Sequence, residues 1–253
     1  MKKLSRISAI VGALVAGTMA IAVVIPNSLG LTPVSWSSTT SSEPGSKPLT
    51  RSEFSEQIKN VSLPGYASTI SDVTAQRLDS SWRAGCPLAV AKLKLVTVRY
   101  VGLDKKSHDG QLVVSAAVAG EMTDIFKSLY EMRFPFAEIS TIENYGSDDN
   151  TSIRANNTSA FNCRNIAGTN RYSKHSFGAA IDINPLINPY VLDGKAEPVE
   201  SAPYLDRNLN YAGMLAGTDD PAVRAFTDRG WTWGGTWTDP LDIQHFEKEI
   251  PSS

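Results

Sequence analysis

The amino-acid sequence predicts an α+β fold, with a small antiparallel sheet and flanking helices. Residues 93–101, LKLVTVRYV, are rich in the β-branched and aromatic residues that are typical of strands. Residues 118–132 instead repeat apolar side chains at spacings of three and four, as a helix with one buried face does. Strands and helices do not alternate regularly, and this irregularity argues against a doubly wound parallel sheet.

Helix caps, helix-breaking residues and short apolar runs predict the elements on either side of these two segments. The helix at 118–132 should bury Val118, Met122, Ile125, Leu129 and Met132 and stop before Pro135. We expect a short helix at 52–61 opened by Ser52 or Ser55, a loop at 102–110, a short strand at 112–114, a strand at 136–145 and a long loop at 147–173.

The C-terminal third has clearer signals. A buried strand is expected at 178–185, because small and apolar residues there end at Pro185. Asp220 followed by Pro221 predicts a helix start, with Gly230 beyond the helix end. Residues 243–247, IQHFE, are expected to form the last strand.

Composition excludes some functions. The chain has 253 residues, of which 42% are hydrophobic, enough for a substantial core. Its formal net charge is -2 and its basic residues do not form runs, so nucleic acid is not an expected partner. We expect a monomer.

The N-terminus has the pattern of an export segment. Residues 1–30 place Lys2, Lys3 and Arg6 before an apolar stretch, which fits either a cleaved signal peptide or an uncleaved membrane anchor. Residues 31–51 are rich in Ser, Thr and Pro and predict a flexible tether, followed by the folded domain at 52–253. The domain is therefore expected outside the cytoplasm, either secreted or held at the membrane.

The chain has two cysteines, Cys86 and Cys163. An exported chain with an even number of cysteines usually pairs them, so a disulfide is expected. Two free buried thiols are the alternative.

Three residues form a candidate metal site. The segment 173–184, SKHSFGAAIDIN, contains His175 and Asp182, and the segment 239–247, DPLDIQHFE, contains His245. Two imidazole nitrogens and one carboxylate oxygen suit Zn2+, which in hydrolytic sites has three protein ligands and an open fourth position. A carboxylate between two isoleucines needs a cation or a full set of hydrogen-bond donors, and it could also be satisfied by backbone N–H groups.

Carboxylates near His245 are candidates for proton transfer. Asp242 stands three residues before His245, where it can take a proton from the attacking water and later pass it to the leaving amine. Asp239 competes for this role, and Glu247 is a candidate hydrogen-bond partner for one of the histidines. The remaining histidine, His108, lies in the charged loop and is expected to be exposed and without a role.

Three blocks, NNTSAFNCR, SKHSFGAAIDINPLINPYV and GWTWGGTWTDPLDIQHFE, together resemble the D-alanyl-D-alanine carboxypeptidase family of zinc peptidases. The resemblance covers about residues 80–249. It is nearest to the branch that includes L-alanyl-D-glutamate endopeptidases, and it implies the hedgehog/DD-peptidase fold.

The resemblance also implies roles for particular residues. His175, Asp182 and His245 match the family's metal ligands, and Asp242 matches its acidic base in the D-x-x-H form. Arg164 falls where the family has an arginine that binds substrate and polarises the scissile carbonyl. Arg154 and Arg171 lie close to it, and a salt bridge that anchors the loop is the alternative role.

Other polar and aromatic residues of these blocks have less definite roles. Ser159, Asn157 and Asn162 either donate hydrogen bonds to substrate or tie the loop to itself. The tryptophans Trp231, Trp233 and Trp237 either line a cleft or pack in the core.

The sequence thus predicts a zinc peptidase that cleaves peptidoglycan stem peptides. Endopeptidase action within the stem and D,D-carboxypeptidase action on terminal D-Ala both remain open. A zinc-containing module that binds the cell wall without hydrolysis is the alternative from a different class.

Overall fold

A computed structural model describes residues 47–250 of the chain. The predicted signal or anchor at 1–30 lies outside the described residues, as does the predicted tether up to residue 46. The α-helices are α1 Arg51–Ile58, α2 Ala75–Leu78, α3 Ala119–Glu131, α4 Asp149–Arg154 and α5 Pro221–Thr227. The strands are β1 Ser68–Asp72, β2 Leu93–Gly102, β3 Ser107–Ser115, β4 Pro135–Phe136, β5 Glu138–Ile139, β6 Asn157–Thr158, β7 Ala180–Asp182, β8 Tyr190–Leu192, β9 Lys195–Glu197, β10 Thr232–Trp233, β11 Leu241–Asp242 and β12 His245–Glu247.

Between residues 47 and 250, no helix has the length and apolar character needed to span a membrane.

The described strands form four small sheets. β1, β2 and β3 pair antiparallel in that order, and β4 adds to β2 in parallel. A second sheet has the order β10, β12, β7, a third has the order β11, β8, β9, and β5 pairs with β6. This mixture of helices with small and mainly antiparallel sheets agrees with the predicted α+β class. The hedgehog/DD-peptidase fold remains an expectation from the resemblance.

The main core lies between α3 and the first sheet. Apolar residues of α3 recur on one face, and Met122, Ile125 and Leu129 are fully buried against β2 and β3. The same cluster continues into Ile181 of β7 and Phe246 of β12. The core that α3 covers therefore also packs against one face of β7 and β12.

Several predicted elements begin or end at other residues. Met132 is 40% exposed, so its place in the buried stripe was wrong, because α3 ends one residue before it. Thr50, and not Ser52 or Ser55, caps α1, in a reciprocal capping box with Glu53.

The loop predicted at 102–110 is confined to 103–106, since β2 and β3 extend to a tight turn. The short strand predicted at 112–114 is accordingly part of the longer β3. Lys105 has a positive φ of 65°, which lets the chain reverse in so few residues.

The strand predicted at 136–145 is also wrong in its second half. Residues Ile142–Tyr145 form a 3-10 helix, because Gly146 adopts the left-handed conformation and its N–H returns to the preceding turn. The long loop predicted at 147–173 contains α4, whose N-cap is Asp148, and then β6.

Helix α5 begins as predicted, with Asp220 as N-cap and Pro221 in the first turn. The Asp220 carboxylate also accepts two hydrogen bonds from Arg51, at 2.9 and 2.6 Å, and one from the Ala216 N–H. The Asp220 side chain is 1% exposed, so this ion pair joins the start of α1 to α5 in the interior.

The predicted disulfide joins Cys86 to Cys163 across 77 residues of chain. Cys163 is buried together with Leu78, Leu88 and Phe161 in a second apolar cluster. The disulfide therefore fixes the segment around residue 163 to the segment around residue 86.

We predict that Asp220→Asn lowers the free energy of unfolding by about 3 kcal/mol at pH 7, because it leaves the Arg51 guanidinium without its buried counter-charge. Burial raises the pKa of Asp220, but the hydrogen bonds from Arg51 and the backbone outweigh burial and lower it. A lowered folded pKa means that the stabilisation is present above the unfolded pKa of about 4 and is lost as pH falls through the folded pKa.

Urea denaturation at pH 7 and pH 3 measures both effects, and the difference between the two proteins should shrink at pH 3. Asp228→Asn, at the exposed end of α5, is the matched control and should change stability by less than about 0.5 kcal/mol. Equal stability of Asp220→Asn and the unsubstituted protein at pH 7 would contradict this account.

Candidate metal centre

Two adjacent strands and one 3-10 helix bring the predicted ligands together. β7 and β12 pair antiparallel with Asp182 directly opposite His245, so both side chains leave the same face. His175 lies in the 3-10 helix Lys174–Phe177, whose N-cap is Ser173, just before β7. The strand register and this helix place all three groups at one point.

The three ligand side chains form a compact triangle. His175 Nε2 lies 3.2 Å from His245 Nδ1 and 3.3 Å from Asp182 Oδ2, and His245 Nδ1 lies 3.0 Å from Asp182 Oδ1. Ligands at about 2.0 Å from a tetrahedral Zn2+ are separated from one another by about 3.3 Å. The observed triangle therefore has the size that such an ion requires.

The outer hydrogen bonds of both histidines set which nitrogen carries the proton. His175 Nδ1 contacts the carbonyl of Ala160, and His245 Nε2 lies 3.2 Å from Glu247 Oε2. Because both partners only accept, each of these outer nitrogens carries a proton, and the inner nitrogens, His175 Nε2 and His245 Nδ1, are the atoms that can bind a metal ion. Glu247 thus has the position that we predicted for a hydrogen-bond partner of a ligand.

The pKa shifts of His245 and Asp182 show that the triangle favours a positive charge. Burial alone would lower the pKa of His245, but the hydrogen bonds to Asp182 and Glu247 outweigh it and raise the pKa to about 10. Burial would likewise raise the pKa of Asp182, but the charge and hydrogen bond of His175 outweigh burial and lower that pKa. A cation held by these donors satisfies the same demand, so the residues present fit a divalent metal ion.

The small residues between His175 and Asp182 have a structural reason. Gly178 has a φ of 60°, and a Cβ there would collide with the backbone of Ser115 at the end of β3. The Ser115 N–H donates to the Gly178 carbonyl at 2.8 Å. The close backbone approach that the sequence predicts is therefore to β3, and it anchors the loop that carries His175.

Asp242 lies beside the triangle on β11. Burial raises its pKa to about 7, while the charges of His245, His175 and Arg164 oppose that rise. The side chain is buried, and its Oδ1 has no hydrogen-bond partner among residues 47–250. Asp239, the competing candidate, is exposed. The structure thus places an unsatisfied buried carboxylate, Asp242, within electrostatic range of the ligands.

Arg164 is close to the site and pairs with Asp149. Its Nε contacts the Asp149 carboxylate in an ion pair, which is the anchoring role considered as the alternative. Its backbone N–H and carbonyl both bond to the Ser176 hydroxyl, which ties the Arg164 loop to the helix of His175. Arg154, by contrast, pairs with Glu200 at the surface.

The other polar candidates differ in their surroundings. Ser159 exchanges backbone hydrogen bonds with Asp182, at 3.0 and 3.3 Å, and so lies next to a ligand. Asn162 donates to the Ser147 carbonyl and to Asp149, and the Asn157 amide bonds to Ser140 and Ser152. Asn162 therefore ties the loop to itself, and Asn157 also ties it to the preceding segment at Ser140.

The three tryptophans divide between core and site. Trp231 and Trp233 are buried, and their indole N–H groups donate to Glu121 and to the Ile243 carbonyl. Trp237 is half-buried, and its ring centroid lies 5.6 Å from that of His245. Trp237 is the one of the three that borders the metal site.

His108 belongs to β3 and not to the predicted loop. Its Nε2 bonds to Asp104 at 2.9 Å and its ring stacks on Tyr100. It lies outside the group of metal-ligating side chains.

Sequence reasoning missed two partners of the site. The Ala160 carbonyl orients His175, but a backbone acceptor leaves no mark in the residue type. Asp149 pairs with Arg164 from α4, and its acidic side chain stands in a polar stretch with several other candidates.

The described residues thus define an α+β domain with a buried His-Asp-His site suited to a metal ion. Residues 167–248, about a third of the chain, match the family model described as D-alanyl-D-alanine carboxypeptidase. This match confirms the predicted family resemblance over that segment and supports a peptidase, and peptidases of that family are metal-dependent. Comparison with curated proteins and with solved structures finds no match.

We predict that the protein binds one Zn2+ per chain through the triangle. His175→Ala should abolish this binding, and Glu247→Gln should weaken it by roughly 10–100-fold because a neutral and weaker acceptor replaces the carboxylate that orients His245. Isothermal titration calorimetry with Zn2+ measures both. His108→Ala is the matched control and should leave the affinity unchanged; a similar loss in that variant would refute the assignment.

Proposed function

We propose that the chain is a zinc-dependent peptidase that hydrolyses peptide bonds of peptidoglycan stem peptides. The observation that carries the proposal is the triangle of His175, Asp182 and His245 with the unpaired carboxylate of Asp242 beside it. The match to the D-alanyl-D-alanine carboxypeptidase model supports both the reaction and the substrate class.

The ligand set favours zinc among common divalent ions. Two imidazoles and a carboxylate are a usual ligand set for catalytic zinc, whereas calcium and magnesium prefer oxygen ligands throughout. When bound, the ion supplies Lewis-acid chemistry, by polarising the scissile carbonyl and lowering the pKa of the attacking water.

Asp242 is the proposed base. Its carboxylate takes a proton from the attacking water and then delivers that proton to the nitrogen of the leaving amine. Burial favours this exchange, since it raises the pKa of Asp242 above the ordinary value of a carboxyl and so makes the group better able to hold a proton before passing it on.

Arg164 is the proposed electrostatic partner of the carbonyl oxygen. A planar guanidinium held in place stabilises developing negative charge better than a mobile ammonium does. Asp149 and the Ser176 hydroxyl hold Arg164 on the loop that also contacts His175. Ser159, next to Asp182, is positioned to contact the backbone of a bound peptide.

The proposed location is outside the cytoplasm, with the protein either secreted or held at the membrane by residues 1–30. The disulfide between Cys86 and Cys163 supports this location, because disulfides persist in oxidising compartments. Cell-wall peptides are the substrates that such a domain meets there.

We predict that Asp242→Asn lowers peptide hydrolysis by roughly 10²–10⁴-fold, because the amide cannot accept the proton, while Zn2+ binding persists. Mass spectrometry of fragments released from purified cell wall by the zinc-loaded protein measures this loss and also identifies the bond cut. Asp228→Asn is the matched control and should release fragments normally.

Two results would oppose the proposal in different ways. Unchanged release by Asp242→Asn would remove Asp242 as the base. Binding to cell wall without any release, by the unsubstituted zinc-loaded protein, would indicate the module that binds without hydrolysis.

A further inference from the structure

One face of the third sheet carries a row of side chains that starts at the proposed base. Asp242 on β11 lies directly opposite Tyr190 on β8, and Tyr190 lies directly opposite Glu197 on β9. Residues that oppose each other in antiparallel strands project from the same face and touch their neighbours. Asp242, Tyr190 and Glu197 therefore form a continuous row, which we name the Tyr190 row.

Negative charge surrounds the Tyr190 ring. Tyr190 is half-buried, and its pKa is raised first by burial and then by the charges of Asp242, Glu197 and Asp239. Asp239 is held toward the β8–β9 turn, where its Oδ1 accepts from the Asp193 N–H at 3.4 Å. The aromatic ring thus lies between carboxylates on more than one side.

These carboxylates have no partner of opposite charge. Within residues 47–250, neither Glu197 nor Asp239 forms an ion pair with a lysine or an arginine. Lys195 shares the face of β9 with Glu197 but is not within ion-pair distance of a described carboxylate. Asp242, the inner end of the row, is 9% exposed and leaves Oδ1 unpaired. The row therefore offers both exposed and buried acceptors without a cation to satisfy them.

The chemistry at Asp242 fixes which part of a substrate meets the row. Hydrolysis adds the hydroxyl of water to the acyl carbon, and the nitrogen leaves as an amine that receives its proton from Asp242. The leaving nitrogen must then come within reach of Asp242, whose cross-strand neighbours are Tyr190 and then Glu197.

We propose that the Tyr190 row is the subsite for the leaving residue and selects a residue with a cationic side chain, such as a diamino acid, over one that ends in a free carboxylate. This inference rests on the proposed peptidase function. An ammonium group over the face of Tyr190 gains a cation–π contact and the attraction of Glu197 and Asp239. A free α-carboxylate in the same place is repelled by Glu197 and Asp239. The row therefore favours endopeptidase cleavage before a diamino acid over removal of a terminal D-Ala.

The test compares synthetic peptides that share one acyl part and differ in the leaving residue. The leaving residues are lysine amide, Nε-acetyl-lysine amide and D-alanine with a free carboxylate, so that charge changes while the scissile amide is kept. We expect kcat/KM to be roughly tenfold higher for lysine amide than for its acetylated form, and to be lowest for D-alanine. Added salt should reduce the preference for lysine amide.

The variant Glu197→Gln/Asp239→Asn should reduce that preference to less than about threefold, because the charge of the row is removed while its side chains keep nearly the same size. Glu56→Gln, at an exposed position on α1, is the matched control and should keep the full preference. Equal rates on the lysine and acetyl-lysine peptides in the unsubstituted protein, or an unaltered preference in the double variant, would overturn the proposal.

A binding measurement separates this proposal from the proposed function. If no peptide is cleaved, the peptidase function fails, and calorimetric titration of the same peptides still tests the row. Tighter binding of the lysine peptide that is lost in Glu197→Gln/Asp239→Asn supports a cation subsite, whereas equal affinities rule it out.

Discussion

Two imidazole nitrogens and the two oxygens of one carboxylate, with contacts of 3.0 to 3.3 Å between the side chains, impose the main constraint on this structure. The contacts of His175 with the Ala160 carbonyl and of His245 with Glu247 leave the other nitrogen of each ring facing inward, toward the Asp182 carboxylate. A carboxylate buried in this way needs a positive charge beside it, from a protonated histidine or from a metal ion. The fold must therefore hold the three side chains together around that charge, and the surrounding contacts serve that requirement.

The required rigidity comes from both sides of the site. Below it, Ile181 and Phe246 alternate with the ligands on β7 and β12 and are completely buried in the main core. Above it, the loop before His175 is tied to Ser176 and crosslinked through Cys163. The proposed base, Asp242, lies on β11 in a different sheet. Its distance to the ligands therefore depends on the path of the aromatic segment, residues 231–237, that precedes β11. Packing, hydrogen bonding and a covalent bond thus each position a different part of the site.

Local patterns in the sequence predicted the parts of the fold that local physics decides. The buried stripe of α3 and the Asp220 cap of α5 depend on side chains a few residues apart, and both were found as expected, except that Met132 lies beyond the end of α3 and is exposed. The ligand set could be predicted because histidine is rare in this chain and each ligand stands in a distinctive segment. Tyr190 could not, because its neighbours Asp242 and Glu197 are set by strand register, which short strands of two or three residues do not specify in sequence. The 3-10 helix at Ile142–Tyr145 was missed since its apolar and aromatic residues also suit a strand.

The attachment of α1 has a mechanical consequence. Thr50 pairs with Tyr211, the Arg51 N–H donates to the Asn210 carbonyl, and the Arg51 side chain reaches Asp220. A pulling force applied to the chain ahead of Thr50 is therefore borne first by these contacts, none of which belongs to the strands that carry Asp182 and His245. Tension on the N-terminal side can strain these contacts without directly stretching the triangle of ligands.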